Sequence, residues 1–123
     1  MDKKRVLIVE DEAAIAKLVA LIVAELDVEV DIAANGAEAL QKIGRRKPDM
    51  LILDLIMPVM NGEELIQEVQ ANPETADIRI ALMTTRQAAK GYKRDAFPLI
   101  SKPFEPLQVK EVVRQVLALG DVQ

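Results

Sequence analysis

With 123 residues, 50% of them hydrophobic, the chain has the size of one domain and enough apolar surface for a core without covalent staples. It contains no cysteine and no histidine, which excludes disulfides, thiolate metal sites, a phosphohistidine carrier and the commonest general base. A net charge of −4, with one tyrosine and two phenylalanines, argues against binding nucleic acid through its phosphates or by base stacking.

The N-terminal apolar run, Val6 to Val9, is too short for a signal segment, and no window approaches the length that spans a bilayer. The expectation is a single domain over residues 1–123, cytoplasmic, with no direct nucleic-acid or membrane binding. The basic clusters at Lys3-Lys4-Arg5, Arg45-Arg46-Lys47 and Lys90 to Arg94 read as solvated faces or helix C-termini.

Arg5 to Glu10 carries VLIV, a run suited to a strand buried on both faces. Ile15, Leu18, Val19, Ile22, Val23 and Leu26 then recur at helical spacing and predict an amphipathic helix with these residues inward. Val28 to Ala33 alternates like a strand near a sheet edge. Asn35-Gly36 makes a turn into a helix over Ala37 to Ile43, which Gly44 is expected to end. Met50 to Leu53 is a second buried strand type, third in order. Asn61 caps a helix with Glu63 and Glu64 in its first turn and Leu65, Ile66 and Val69 inward, stopped by Asn72-Pro73. Ile78 to Met83 is a strand. Arg86 to Phe97 is polar, contains Gly91 and lacks an apolar face, so a short or irregular fourth helix is expected there. Pro98 to Ser101 is a short strand. Glu105 to Leu119 is a final helix with Leu107, Val112, Val113, Val116 and Leu117 as candidate buried positions. Strands alternating with helices imply a doubly wound α/β fold, a five-stranded parallel sheet covered on both faces.

The stretch LILDLIMPVMNG raises a question of chemistry. An ionised carboxylate, Asp54, follows a strand that should be fully buried, and unpaired it would cost several kcal/mol. In open parallel sheets functional groups gather outside the C-terminal strand ends. There the chain places Glu10-Asp11-Glu12 after the first strand, Asp54 after the third, Thr84-Thr85 after the fourth and Ser101-Lys102-Pro103 after the fifth. Oxygen ligands without histidine or cysteine suit a hard cation, Mg²⁺ or Mn²⁺. That ion and the Lys102 ammonium would flank Asp54 and make it a nucleophile toward phosphorus, with Thr85 donating to the phosphoryl oxygens. Singly, each group has a plainer role: a helix cap, a first-turn acid, a strand hydroxyl, a loop lysine. Jointly, their convergence on one crevice favours the chemical reading.

VLIVEDE, LILDLIMPVMNG, ALMTTR and ISKPF, in that order, resemble the signature regions of receiver domains of bacterial two-component response regulators, the CheY-like family. The resemblance covers essentially the whole chain. It implies a (βα)₅ fold with strand order 2-1-3-4-5 and phosphoryl transfer from a sensor histidine kinase or phosphotransfer domain to an aspartate, with Mg²⁺ (Mn²⁺ as a substitute), to control an output partner that the sequence does not name. By the same resemblance Asp54 is the phosphoacceptor. Asp11 holds the metal directly, Glu10 through a water and Ile56 by its backbone carbonyl. Thr85 is the switch hydroxyl, Lys102 the phosphate-binding lysine, and the Lys102-Pro103 peptide is cis. The chain departs from the pattern at Leu99, where the family's switch aromatic stands, with Phe97 and Tyr92 nearby but out of register. It departs again at Arg86, where a small residue is usual, and in the short segment between Thr85 and Lys102.

Other readings are a degenerate receiver used only for protein binding, a small phosphatase with an aspartyl nucleophile, and a flavin-binding domain. The phosphatase would need an acid two residues after the nucleophile, where Ile56 stands. The flavin domain would need a hydroxyl or glycine-rich phosphate loop where Glu10-Asp11-Glu12 stands. As a receiver the chain would not be an enzyme beyond promoting its own phosphorylation and slow dephosphorylation.

Overall fold

The computed structural model describes residues 3–90 and 97–119. Within them the chain alternates β1 (Arg5–Val9), α1 (Ala13–Ala24), β2 (Glu29–Ala33), α2 (Gly36–Arg45), β3 (Met50–Leu53), α3 (Gly62–Ala71), β4 (Arg79–Thr84), α4 (Arg86–Lys90), β5 (Leu99–Ser101) and α5 (Pro106–Leu117). The five strands form one parallel sheet in the order β2-β1-β3-β4-β5. The central strands are short apolar runs because helices cover both faces, so neither side chain direction meets water.

Successive strand residues feed opposite layers. Leu7, Val9, Leu51 and Leu53 join Ala39 and Ile43 of α2 and Leu65, Ile66 and Val69 of α3. Val6, Ile8, Met50 and Ile52 join Val19, Ile22 and Val23 of α1 and Val109, Val113 and Leu117 of α5. Among the described residues no helix is long and apolar enough to cross a membrane.

Three local expectations are corrected. Leu18 and Leu107 are 50% and 60% exposed. The buried stripe of α1 runs through Ala16, Val19, Ile22 and Val23, and that of α5 through Val109, Val113 and Leu117 at four-residue steps, so both leucines fall off the inward face. Gly44 does not end α2, which continues to Arg45 because the packing of Ala39 and Ile43 outweighs glycine's weak helix preference. Pro48 follows shortly, and the residue before a proline is disfavoured in the helical region. A Cβ added at Gly44 would meet nothing within 4 Å. Gly44→Ala is therefore expected to stabilise the fold by about 0.5–1 kcal/mol in urea unfolding. Asn61 caps α3 through a complete capping box with Glu64. α4 spans Arg86–Lys90, and residues 91–96 of the irregular segment, including Gly91 and Tyr92, lie outside the described residues.

Candidate functional site

The sheet's hydrogen-bond ladder continues one residue past the central strands and fixes the backbone of the site. Val9 is paired with both Ala33 and Leu53. The next N–H groups, those of Glu10 and Asp54, donate to the carbonyls of Ala33 at 3.0 Å and Val9 at 3.2 Å. The N–H of Lys102 likewise extends β5, donating to the Thr84 carbonyl at 2.9 Å. Three charged side chains thus leave the C-terminal ends of β1, β3 and β5 at the same edge of the sheet, with β4 between the last two.

They converge. Lys102 Nζ donates to Asp54 Oδ2 at 2.8 Å and to Glu10 Oε1 at 2.6 Å. Asp54 Oδ1 accepts the N–H of Ile56 at 3.1 Å, and Glu10 Oε2 accepts the N–H of Glu12 at 3.2 Å. The side chains of Glu10, Asp54 and Lys102 are 0%, 9% and 18% exposed. The carboxylate is tolerated at the end of a buried strand because an ammonium and a backbone N–H occupy its oxygens. Asp11 is exposed, and one carboxylate oxygen each from Glu10, Asp11 and Asp54 lie within 4.8 Å of one another.

The electrostatics follow from this crowding. Burial pushes the Glu10 carboxyl above its ordinary 4.5, and the Lys102 hydrogen bond only partly opposes it. Burial alone would lower Lys102, but its hydrogen bonds to Asp54 and then Glu10 outweigh that and hold the ammonium above its ordinary 10.5.

The loop after Asp54 is held from two sides by glycines. The N–H of Gly62 donates to the Leu55 carbonyl at 3.0 Å, and that of Gly36 to the Met60 carbonyl at 3.2 Å. Between them Val59 adopts φ 68°, a left-handed conformation costly for a β-branched residue, by about 1–2 kcal/mol. Neither the glycine contacts nor the Val59 conformation was foreseen from sequence. Asn61 was legible as a helix cap, and the close approach of Gly62 behind it was not.

Of the residues singled out by sequence, Glu10, Asp11, Asp54 and Lys102 come together. Ile56 is beside them, its N–H on Asp54 and its side chain 67% exposed. The Lys102-Pro103 peptide is cis. Thr85 lies just past β4 rather than in it. Its Oγ1 accepts the Ala88 N–H at 3.1 Å and so caps α4, and no hydrogen bond joins it to Asp54 or Lys102 among the described residues. Leu99 is half-buried against the Leu82-containing apolar layer, as is Phe97, so an aliphatic side chain fills the position where the family carries a ring.

Comparison with known proteins agrees with this geometry. The family model for the response regulator receiver domain matches residues 6–114. The chemotaxis protein CheY of Thermotoga maritima is 36% identical over 116 residues, covering 92% of this chain and 97% of that one. The probable transcriptional regulator ycf29 of Porphyra purpurea is 30% identical over 115 residues, covering 90% of this chain and 55% of its own. The chain spans about half the length of that regulator and of similar ones from Porphyridium aerugineum and Pyropia yezoensis. A putative response regulator from Chloroflexus aurantiacus superimposes with a TM-score of 0.87 at 33% identity, covering 95% of this chain and 99% of the other.

Proposed function

The chain belongs to the response regulator receiver domain family of two-component signal transduction, and on that premise we propose that Asp54 is its phosphoacceptor. The donor is a phosphohistidine on a sensor kinase or phosphotransfer domain, met in the cytoplasm, and the phosphorylated form controls an output partner. The observation that carries this reading is the 2.8 Å bond from Lys102 Nζ to Asp54 Oδ2 beside the acidic group of Glu10, Asp11 and Asp54.

The donor set fits Mg²⁺. All candidate ligands are carboxylate or carbonyl oxygens, and oxygens on an octahedral Mg²⁺ lie about 3–4 Å apart, a modest closure from the observed cluster. Asp11, Asp54 and the Ile56 carbonyl would hold the ion, with Glu10 adding its charge. Bound there, the ion supplies positive charge against the phosphoryl oxygens. The remaining work belongs to the chain. An Asp54 oxygen forms a bond to phosphorus as the phosphorus–nitrogen bond of the phosphohistidine breaks, and the departing imidazole nitrogen keeps the electron pair and takes a proton from water. The Ile56 N–H fixes the carboxylate's orientation, and the Lys102 ammonium neutralises charge on the transferring group. The chain turns over no substrate beyond its own acyl phosphate.

Acetyl phosphate with Mg²⁺, followed by intact mass, tests the reading. The wild type is expected to gain one phosphoryl group and Asp54→Asn none, whereas equal gain in both would refute it. Loss of the phosphoryl group should be slow, because the apolar side chain two residues after Asp54 cannot orient a water. Ile56→Asn, at an exposed position, is expected to shorten the acyl-phosphate lifetime several-fold. An unchanged or longer lifetime would show that Ile56 does not set it.

A further inference from the structure

Of the sheet's two outer strands, β5 is three residues long and β2 five. A very short edge strand offers little for another chain to pair with, whereas β2 needs some other protection. The N–H of Glu29 donates to the Lys4 carbonyl, and the Ala33 carbonyl accepts the Glu10 N–H, so the odd-numbered residues of β2 turn their backbone groups toward β1. The backbone groups of Val30 and Ile32 therefore face outward, where a further strand would pair. At Ile32 both are already taken. Its N–H donates to Asp31 Oδ1 at 2.8 Å, and its carbonyl accepts a hydrogen bond from Lys42 Nζ. Lys42 Nζ closes the set by donating to Asp31 Oδ1 at 3.1 Å. We propose that Asp31 and Lys42 seal the β2 edge against the β2 strand of a second copy of this chain, and that without them this edge is a dimerisation surface.

Two features distinguish a seal from a simple tie between α2 and the sheet. A tie needs one contact, whereas here the donor and the acceptor of a single outward-facing residue are both consumed. The second feature is charge. The strand reads EVDIA, and its outward-facing residues, Val30 and Ile32, are β-branched, apolar and half-buried, which suits them to strand pairing. Two copies related by a two-fold axis would pair antiparallel. Centred on Asp31, such a pairing sets Val30 against Ile32 of the second copy as a hydrogen-bonded pair, and brings the two Asp31 carboxylates directly opposite one another. Centred on Val30, it sets Asp31 opposite Glu29 of the second copy. Like charges in directly opposed positions destabilise a strand pair. Asp31 thus blocks one outward N–H and repels its own copy, while Lys42 blocks the carbonyl and holds Asp31 in place.

Sedimentation equilibrium from micromolar to submillimolar protein tests this on the wild type, on the double variant Asp31→Thr with Lys42→Ala, and on that double variant with Ile32→Pro added. Threonine suits a paired strand and alanine a helix, and neither position belongs to the acceptor cluster. Far-ultraviolet circular dichroism identical to the wild type's confirms that the variants fold. The wild type is expected to stay monomeric, and the double variant to approach twice the monomer mass as concentration rises. Ile32→Pro removes the outward N–H at a position where an edge strand tolerates proline, and is expected to return the double variant to monomer. A folded double variant that stays monomeric overturns the proposal, and so does a dimer that survives Ile32→Pro. A second measurement needs no double variant. In the wild type, amide hydrogen exchange at Ile32 is expected to be slowed about tenfold or more relative to an unstructured chain despite its place on the open edge. An Ile32 amide that exchanges at the unstructured rate would show that the edge is not sealed.

Discussion

Lys102→Ala is expected to slow phosphoryl uptake by about a hundredfold and to destabilise the fold by about 3 kcal/mol at pH 7. The first figure is the usual loss when a cation or donor aimed at developing charge is removed. The second reflects what is left behind: Glu10 and Asp54, both buried, would face each other without the ammonium that bonds to each. The pH dependence has a definite sign. The folded Glu10 carboxyl is already held above 4.5 by burial, and without Lys102 it would move further up. A carboxyl raised in the folded state contributes stability below its unfolded value, and that contribution is lost as pH rises through the folded one. The deficit of Lys102→Ala should therefore be smaller at pH 5 than at pH 7, and Mg²⁺ should reduce it at pH 7. In the wild type, the raised Lys102 contributes stability that persists below pH 10.5 and is lost as pH rises through its folded value. Urea unfolding at the two acidic-to-neutral pH values, with and without Mg²⁺, checks this. A deficit that is the same in all conditions would show that the carboxylates do not feel one another.

Gly62→Ala is expected to cost about 3 kcal/mol and to slow phosphorylation as well, although residue 62 carries no chemistry. A Cβ at Gly62 would stand 2.4 Å from the Asp54 carbonyl oxygen, 2.7 Å from Leu55 Cα and 2.8 Å from Leu53 Cδ1. The first two are backbone atoms and cannot rotate away, so either α3 retreats or the end of β3 moves and takes Asp54 with it. The contrast with Gly44, which has open space around it, makes the pair diagnostic. One alanine should destabilise strongly and the other stabilise slightly, by denaturation midpoint. If Gly62→Ala phosphorylates at the wild-type rate, the close approach of α3 does not position the acceptor.

The sheet was legible because its strands are apolar runs too short for helices, and their C-terminal ends coincide with the charged residues that follow. From that coincidence alone, Asp54 and Lys102 could be brought together across 48 residues. What escaped the sequence depends on direction and distance rather than residue type. Leu18 and Leu107 have the right chemistry for the core, but their angular position on the helix faces solvent. Glu10 was legible as an acid, but its bond to Lys102, 92 residues away, depends on the distance between two strand ends. Thr85 was legible as a hydroxyl beyond a strand, while its use as the cap of α4 depends on where that helix begins. The Gly62 approach and the Val59 conformation are properties of a loop packed between two helices, which no local pattern encodes.

Reduction of the phosphorylated protein with borohydride, which converts an aspartyl phosphate to homoserine, followed by peptide mass mapping, tests most directly that the carboxylate bonded to Lys102 is the one that reacts. The account predicts homoserine at position 54 and nowhere else in the chain. Homoserine at another aspartate, or phosphoryl uptake that leaves residue 54 unmodified, would contradict it.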